Sequence, residues 1–309
     1  MKFGILTSTI TEDSHLPNIL ELESIMSKRG HNVCLLKNGE FNLEISSKGS
    51  ELFYNGKHFD IRDYDMVFNR FSVRDKSNAD YYIMEEFIFA GVDFFNKPEG
   101  IVKARNKLLT LQILGNMGID ITKSYVIRRF EDLKIVKERY RFPMIVKNIF
   151  GSLGSSTLLV YDYKQLKSIF DYLWNVNRND VLLIQEFITS DDNTISDYRV
   201  FVAGDKVLSS MKRTNETDDF RSNFKRGAGV KYCELNDYET KMCIEIASKF
   251  DLDIAGIDFM RTERGPVVLE VNSNPGMEGI RTASLNAGFD ILEKLADYFE
   301  ERFKNKEVL

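Results

Sequence analysis

The sequence predicts an α/β fold with a parallel sheet in its first third. Short apolar strands alternate with helix-period segments through residues 1–100, the order that βαβ units require. Hydrophobic residues make up 43% and charged residues 29% of 309 residues, so the chain is globular and a largely disordered polymer is excluded. At roughly 100–200 residues per domain, this length gives about two domains, or one large domain with subdivisions. The pattern divides the chain at residues 1–100, 101–190 and 191–309.

Phe3 to Thr7 is the first strand, followed by the turn-like Thr11-Glu12-Asp13-Ser14. Leu16, Ile19, Leu20, Leu22, Ile25 and Met26 recur at near-helical spacing, and Gly30 ends that helix. Val33 to Leu36 is a second strand. Over residues 43–59, the alternation Leu43-Glu44-Ile45-Ser46 and the Asn55-Gly56 turn predict a β-hairpin. Met66 to Phe68 is a strand, Tyr81 to Ala90 an apolar helix and Val92 to Phe95 a strand. Residues 101–118 predict one helix ending at Gly118. Residues 123–188 read strand, helix, strand, glycine-rich loop, strand, helix, strand. Residues 195–212 are antiparallel strands joined at Gly204-Asp205, and residues 214–231 a long polar, basic loop. Tyr238 to Phe250 is a helix, residues 254–272 are two strands about a turn at Glu263 to Pro266, and Ile291 to Phe303 is the last helix.

Composition narrows the function. Lys and Arg number 42 against 47 Asp and Glu, a net charge of -5, which argues against a non-specific nucleic-acid binder. Local basic clusters are then meant for something small and anionic. Cys34, Cys233 and Cys243 have neither zinc spacing nor the even count of a disulfide framework, so a reducing cytoplasm is the expected location. His15, His31 and His58 stand in no metal-ligand spacing. No apolar run reaches the ~18 residues of a membrane span, and Met1 to Thr7 is too soon polar for a signal peptide.

Four constellations carry chemistry. In the strand pair around Arg264, Glu270 and Asn272 share one face, and Asp258 falls opposite Glu270. Two carboxylates that close repel unless a cation lies between them, and hard oxygen donors point to Mg²⁺ shared with a nucleotide's phosphates. The same spacing fits a polar strand face that pairs with nearby arginines. Lys147 ends an apolar strand and leads into Gly151-Ser152-Leu153-Gly154-Ser155-Ser156, whose backbone and hydroxyls can approach phosphates, as a plain hairpin turn also would look. Ile184-Gln185-Glu186-Phe187-Ile188 is a strand end whose backbone could hold an adenine ring. Asp219 to Gly229 interleaves Arg221, Lys225 and Arg226 with glycines and aromatics, fitting a solvated turn, a mobile phosphate clamp or, least well given the acidic net charge, a nucleic-acid contact. With no G-x-S-x-G elbow, transfer chemistry driven by metal and phosphate fits better than a covalent nucleophile.

These pieces stand in the order of the ATP-grasp superfamily, and their details resemble its RimK-like carboxylate–amine ligases. The carrying residues are Ala104 to Leu108 with Gln112, Ile145 to Lys147, Gln185 to Ile188, Asp197-Tyr198-Arg199 and Asp219 to Asn223. They continue with Arg226-Gly227, Gly256-Ile257-Asp258, Gly265 to Asn272 and Asn274 to Gly279. The resemblance implies an ATP-grasp fold behind an N-terminal pre-ATP-grasp domain. It implies that Lys107 and Lys147 contact ATP phosphates under the loop Gly151 to Ser156, and that the backbone at Glu186, Phe187 and Ile188 holds adenine. Asp197 and Ser222 would lie beside the nucleotide, Asp258, Glu270 and Asn272 would bind two Mg²⁺ ions (or Mn²⁺), and Arg213, Arg221 and Asn223 would stabilise the transferring phosphoryl group. Ser156 stands where the family usually has a third glycine, and Arg281-Thr282-Ala283-Ser284 departs from glutamate-adding members.

The implied activity is ATP-dependent addition of an amino acid, glutamate-like, to a protein or peptide carboxylate through an acyl-phosphate. Alternatives are a crosslinking enzyme that forms ester or amide bonds inside a precursor peptide, and amino-acid addition to a carrier protein or coenzyme. A non-catalytic nucleotide-binding module would lack a metal ligand or phosphate lysine, and all of these are present. A homo-oligomer, dimer or tetramer, is implied as well. The hairpin at 43–59 and Phe68-Asn69-Arg70 belong to the part expected to help select the acceptor. Asp258→Asn or Glu270→Gln is expected to abolish turnover and leave the fold intact, because losing a charge relieves repulsion.

Overall fold

The computed structural model describes residues 1–7, 16–73, 75–148, 157–176, 181–190, 196–214 and 229–307. The first part comprises β1 (Lys2–Thr7), α1 (Leu16–Lys28), β2 (Asn32–Lys37), β3 (Phe41–Ser46), β4 (Gly49–Tyr54), β5 (Lys57–Phe59), β6 (Met66–Asn69), α2 (Ala79–Phe89) and β7 (Asp93–Phe95). Strands β2-β1-β6-β7 form an all-parallel sheet, as the alternation of apolar strand and amphipathic helix requires. The segment expected to be one hairpin is a three-stranded antiparallel sheet, β3-β4-β5. Asn55 and Gly56 make its second turn with φ of 52° and 73°, the left-handed pair a tight hairpin needs, and a further turn before Gly49 adds the extra strand.

The single helix expected over 101–118 is two helices, α3 (Pro98–Arg105) and α4 (Lys107–Asn116). Asn106 breaks them. Its backbone is extended, and its side chain accepts from Leu108 N and Leu109 N, each at 3.1 Å, so it caps α4 instead of continuing α3. Lys107 thereby becomes the first residue of a helix.

The central part is β8 (Ser124–Ile127), α5 (Leu133–Arg139), β9 (Met144–Asn148), β10 (Thr157–Val160), α6 (Tyr163–Val176) and β11 (Leu182–Glu186). Its strands form an antiparallel sheet in the order β10-β9-β11-β8, and it buries its own core around Ile127, Val136, Met144, Leu166, Phe170 and Ile184.

The last part is β12 (Ser196–Ala203), β13 (Lys206–Thr214), β14 (Gly229–Tyr232), α7 (Asp237–Lys249), β15 (Ile254–Thr262), β16 (Gly265–Asn272), α8 (Glu278–Asn286) and α9 (Ile291–Glu307). The strands form an antiparallel sheet, β14-β13-β12-β15-β16. Of the loop expected over 214–231, Thr214 closes β13 and residues 229–231 belong to β14, while residues 215–228 lie outside the described residues. Helix α8 was not expected: Gly279 and Thr282 weaken its intrinsic propensity, and burial of Gly279, Ile280, Ala283 and Ser284 holds it.

One core joins the first and last parts. Phe3, Ile5, Phe68 and Phe95 pack with Phe201, Ile254, Leu292 and Phe299. The Phe299 ring lies 4.9 Å from Phe3, 5.2 Å from Phe68 and 5.6 Å from Phe95. Among the described residues, no helix is long and apolar enough to cross a membrane.

Candidate active site

One face of the last sheet carries a row of charges that the strand registers set. Asp197 on β12 faces Arg213 on β13, Arg199 on β12 faces Asp258 on β15, and Asp258 faces Glu270 on β16. Asp197 and Arg199 are two residues apart on one strand, as are Glu270 and Asn272, so each pair shares this face. Arg213 donates to Asp197 from Nε at 2.6 Å and from Nη2 at 2.7 Å, and its Nη2 reaches Asp258 Oδ2 at 2.9 Å. Arg199 donates to the two Asp258 oxygens from Nε at 2.7 Å and Nη2 at 2.6 Å. Asn272 Nδ2 lies 3.5 Å from Asp258 Oδ2.

Asp258, Arg213 and Asp197 are only 4%, 5% and 8% exposed, so these charges survive burial only by pairing. Burial alone would raise the Asp258 carboxyl, but Arg199 and Arg213 beside it hold it below the ordinary carboxylate value. Burial alone would lower the Arg213 guanidinium, and Asp197 and Asp258 reverse that. The repulsion expected between Asp258 and Glu270 is therefore answered in part by arginines. Of the two readings left open by the spacing, the arginine-paired face is the one that these contacts show, and it falls on the carboxylate expected to hold metal.

Two lysines from other parts of the chain meet this face. Lys107, at the start of α4, places its Nζ 3.2 Å from Glu270 Oε1. Lys147 on β9 is half-buried and close enough to feel both Glu270 and Lys107. Loss of surrounding water lowers its ammonium to about 8, with Glu270 opposing the shift and Lys107 adding to it. Lys107 thus pairs with Glu270, and Lys147, far from both in sequence, lies within range of their charges.

Glu186 ends β11 elsewhere. Its Oε1 accepts from Lys123 N at 2.9 Å and from Arg264 Nη2 at 3.0 Å. Arg264 is in the β15–β16 turn, six residues from Glu270, or about 20 Å along the strand. Phe187 and Ile188 follow, half-buried. Arg70, just past the end of β6, is 4% exposed and donates to Pro275 O at 3.0 Å, while Asn274 Nδ2 donates to Arg70 O at 2.7 Å. Gly151, Ser152, Gly154, Ser155, Ser156, Arg221, Ser222 and Asn223 lie outside the described residues. Arg199 had no role in the sequence reading, although its two-residue spacing from Asp197 was the signal that would have found it.

The donors on this face fit magnesium. Two carboxylates and an amide on adjoining strands offer hard oxygens, and Mg²⁺ takes one or two carboxylates plus phosphate oxygens and water. Among the described residues, no three of His, Cys, Asp and Glu come together as a softer or all-protein metal cage would need.

The family model for a RimK-like ATP-grasp domain matches residues 104–298. A probable alpha-L-glutamate ligase of Trichodesmium erythraeum is 30% identical over 302 residues, covering 97% of this chain and 96% of that protein. Among solved structures, the ATP-grasp ligase PsnB complexed with a minimal precursor superposes with a TM-score of 0.73 at 19% identity, over 96% of this chain and 97% of that one. The macrocyclase MdnC of Microcystis aeruginosa, bound with precursor peptide MdnA, gives 0.71 at 14% identity, over 96% and 98%.

Proposed function

The chain belongs to the RimK-like ATP-grasp family and is an ATP-grasp ligase, and from that premise we propose that it adds an amino acid, glutamate or a close analogue, to a protein or peptide carboxylate through an acyl-phosphate. The observation that carries this reading is the pairing of Lys107 with Glu270 on the face that also bears Asp258 and Asn272, with Lys147 within range of both charges. A carboxylate attacking a triphosphate is an anion meeting an anion, and this face gathers cations instead of a nucleophile. The curated relatives named as probable alpha-L-glutamate ligases support the choice of amino acid.

In this reading the nucleotide lies along the β15–β16 hairpin. Its base is at the backbone of Glu186 to Ile188 and its phosphates are at Lys147 and Lys107. Asp258, Glu270 and Asn272 would hold magnesium, two ions in our reading. Bound there, the metal neutralises phosphate oxygens and acts as a Lewis acid. Lys107 and Lys147 hold the phosphates against the approaching carboxylate. Arg213, fixed by Asp197, keeps a positive potential behind Asp258. A carboxylate oxygen bonds to the γ-phosphorus as the bond to the β-bridging oxygen breaks, and ADP leaves. The amine then bonds to the acyl carbon and loses a proton, and inorganic phosphate leaves.

Phosphate release from ATP and Mg²⁺, measured with each amino acid alone and then with a cytoplasmic peptide extract, tests this. Release that needs glutamate plus extract, with a matching mass gain on a peptide, supports it. Release with extract alone and a loss of water mass would instead identify an internal crosslinking enzyme.

A further inference from the structure

Asp258 is bonded in an unequal way. Its Oδ2 accepts from Arg199 Nη2 at 2.6 Å and Arg213 Nη2 at 2.9 Å, with Asn272 Nδ2 at 3.5 Å. Its Oδ1 accepts only from Arg199 Nε among the described residues, at 2.7 Å. A carboxylate oxygen has about two lone-pair positions, so Oδ2 is full and Oδ1 keeps one. The geometry points to Arg199 as a positioning residue that decides which metal this site accepts: its fork leaves Asp258 one oxygen position, enough for single-oxygen ligation and too little for a two-oxygen clasp. This rests on the reading that Asp258, Glu270 and Asn272 hold the metal.

The consequence is selectivity. Ca²⁺ takes six to eight oxygens and often clasps a carboxylate by two, whereas Mg²⁺ keeps a tight octahedron with single oxygens and water. Arg199 has this role and Arg213 does not. Arg213 is the two-pronged partner of Asp197 and gives Asp258 one bond, whereas Arg199 lies directly across from Asp258 in register and spans both its oxygens. Removing the Arg199 fork opens an edge of Asp258 while Arg213 still balances its charge.

The test is calorimetric titration of Mg²⁺ and of Ca²⁺ into the full chain saturated with the non-hydrolysable analogue AMPPNP. Wild type is compared with Arg199→Lys, which keeps the charge without the fork, and with Arg199→Met, each checked for folding by thermal unfolding. Wild type is expected to bind Mg²⁺ more tightly than Ca²⁺. The variants are expected to narrow that preference roughly tenfold by gaining Ca²⁺ affinity. An unchanged preference, equal weakening of both ions, or a wild type that binds Ca²⁺ as tightly as Mg²⁺ overturns the inference alone. That last measurement stands even if neither variant folds. If Asp258→Asn binds Mg²⁺ as wild type does, the metal site itself is wrong and the inference falls with it.

Discussion

Asp258 lies between two guanidiniums, and this changes what its removal does. Repulsion from Glu270 suggested that Asp258→Asn would leave the fold intact. With Arg199 and Arg213 both on this carboxylate, the substitution leaves buried cations short of a partner and is expected to cost about 3 kcal/mol or more. Glu270 is different: its side chain is 40% exposed and paired with Lys107 alone among the described residues. Glu270→Gln is expected to abolish ATP turnover while changing stability by less than about 1 kcal/mol. Phosphate release and denaturant unfolding on the two variants check both statements.

Lys147 gives a pH dependence at the same scale. Its ammonium is lowered from 10.5 to about 8, so nucleotide affinity is expected to fall as pH rises through 8. Stability runs the other way. The folded chain gives up this proton near 8 while an unfolded chain keeps it to about 10.5, so the penalty is full below 8 and is relieved as pH climbs toward 10.5. AMPPNP affinity measured from pH 7 to 9.5 is expected to decline in wild type and to stay flat in Lys147→Arg.

At the scale of elements, the break at Asn106 places Lys107. The Asn106 side chain caps α4, and the next residue reaches Glu270 from the helix start. Asn106→Ala is expected to lose about 1 kcal/mol and to raise the KM for ATP. Asn106→Asp, which also caps, is expected to restore both. The sequence spells out Ala104-Arg105-Asn106-Lys107-Leu108 as a motif, yet periodicity runs straight through it, since an apolar period reports which side of a helix is buried and not where a side chain competes for the backbone. The bounds of the strand pair 254–272 were legible from its alternation and its turn, but its register was not: the turn pairs Thr262 with Gly265, and a β-bulge between Asp258 and Phe259 is what sets Asp258 opposite Glu270. Helix α8 was not, because its support comes from what it packs on.

For the whole molecule, the first and last parts share a core while the central sheet buries its own. Phe299, from the last helix, touches Phe3, Phe68 and Phe95 of the parallel sheet. Phe299→Ala is expected to cost about 3–5 kcal/mol, measured by denaturant unfolding. Residues 1–100 expressed alone are expected to be unfolded by circular dichroism, since the Phe3, Ile5 and Phe68 face would lie bare. The central sheet, with no share in that core, is expected to exchange amide hydrogens sooner than β12 and β15, and nucleotide is expected to slow it.

By itself, the sequence determined the α/β class and the strand pair around Gly265, through local periodicity and turn chemistry, and the family, through the motifs that resemble it. The opposition of Asp258 to Glu270 also needs a β-bulge between Asp258 and Phe259. Only the tertiary structure decided that Arg199 and Arg213 share Asp258, that Asp197 is the partner of Arg213, and that Lys107 pairs with Glu270 within range of the Lys147 charge. The Arg199–Asp258 contact depends on the pairing of β12 with β15, strands far apart along the chain, the Asp197–Arg213 contact on a β-bulge that shifts the register of the β12–β13 hairpin, and the Lys107 contact on how α4 packs against β16. A charge buried among such contacts takes its chemistry from partners that lie far from it along the chain.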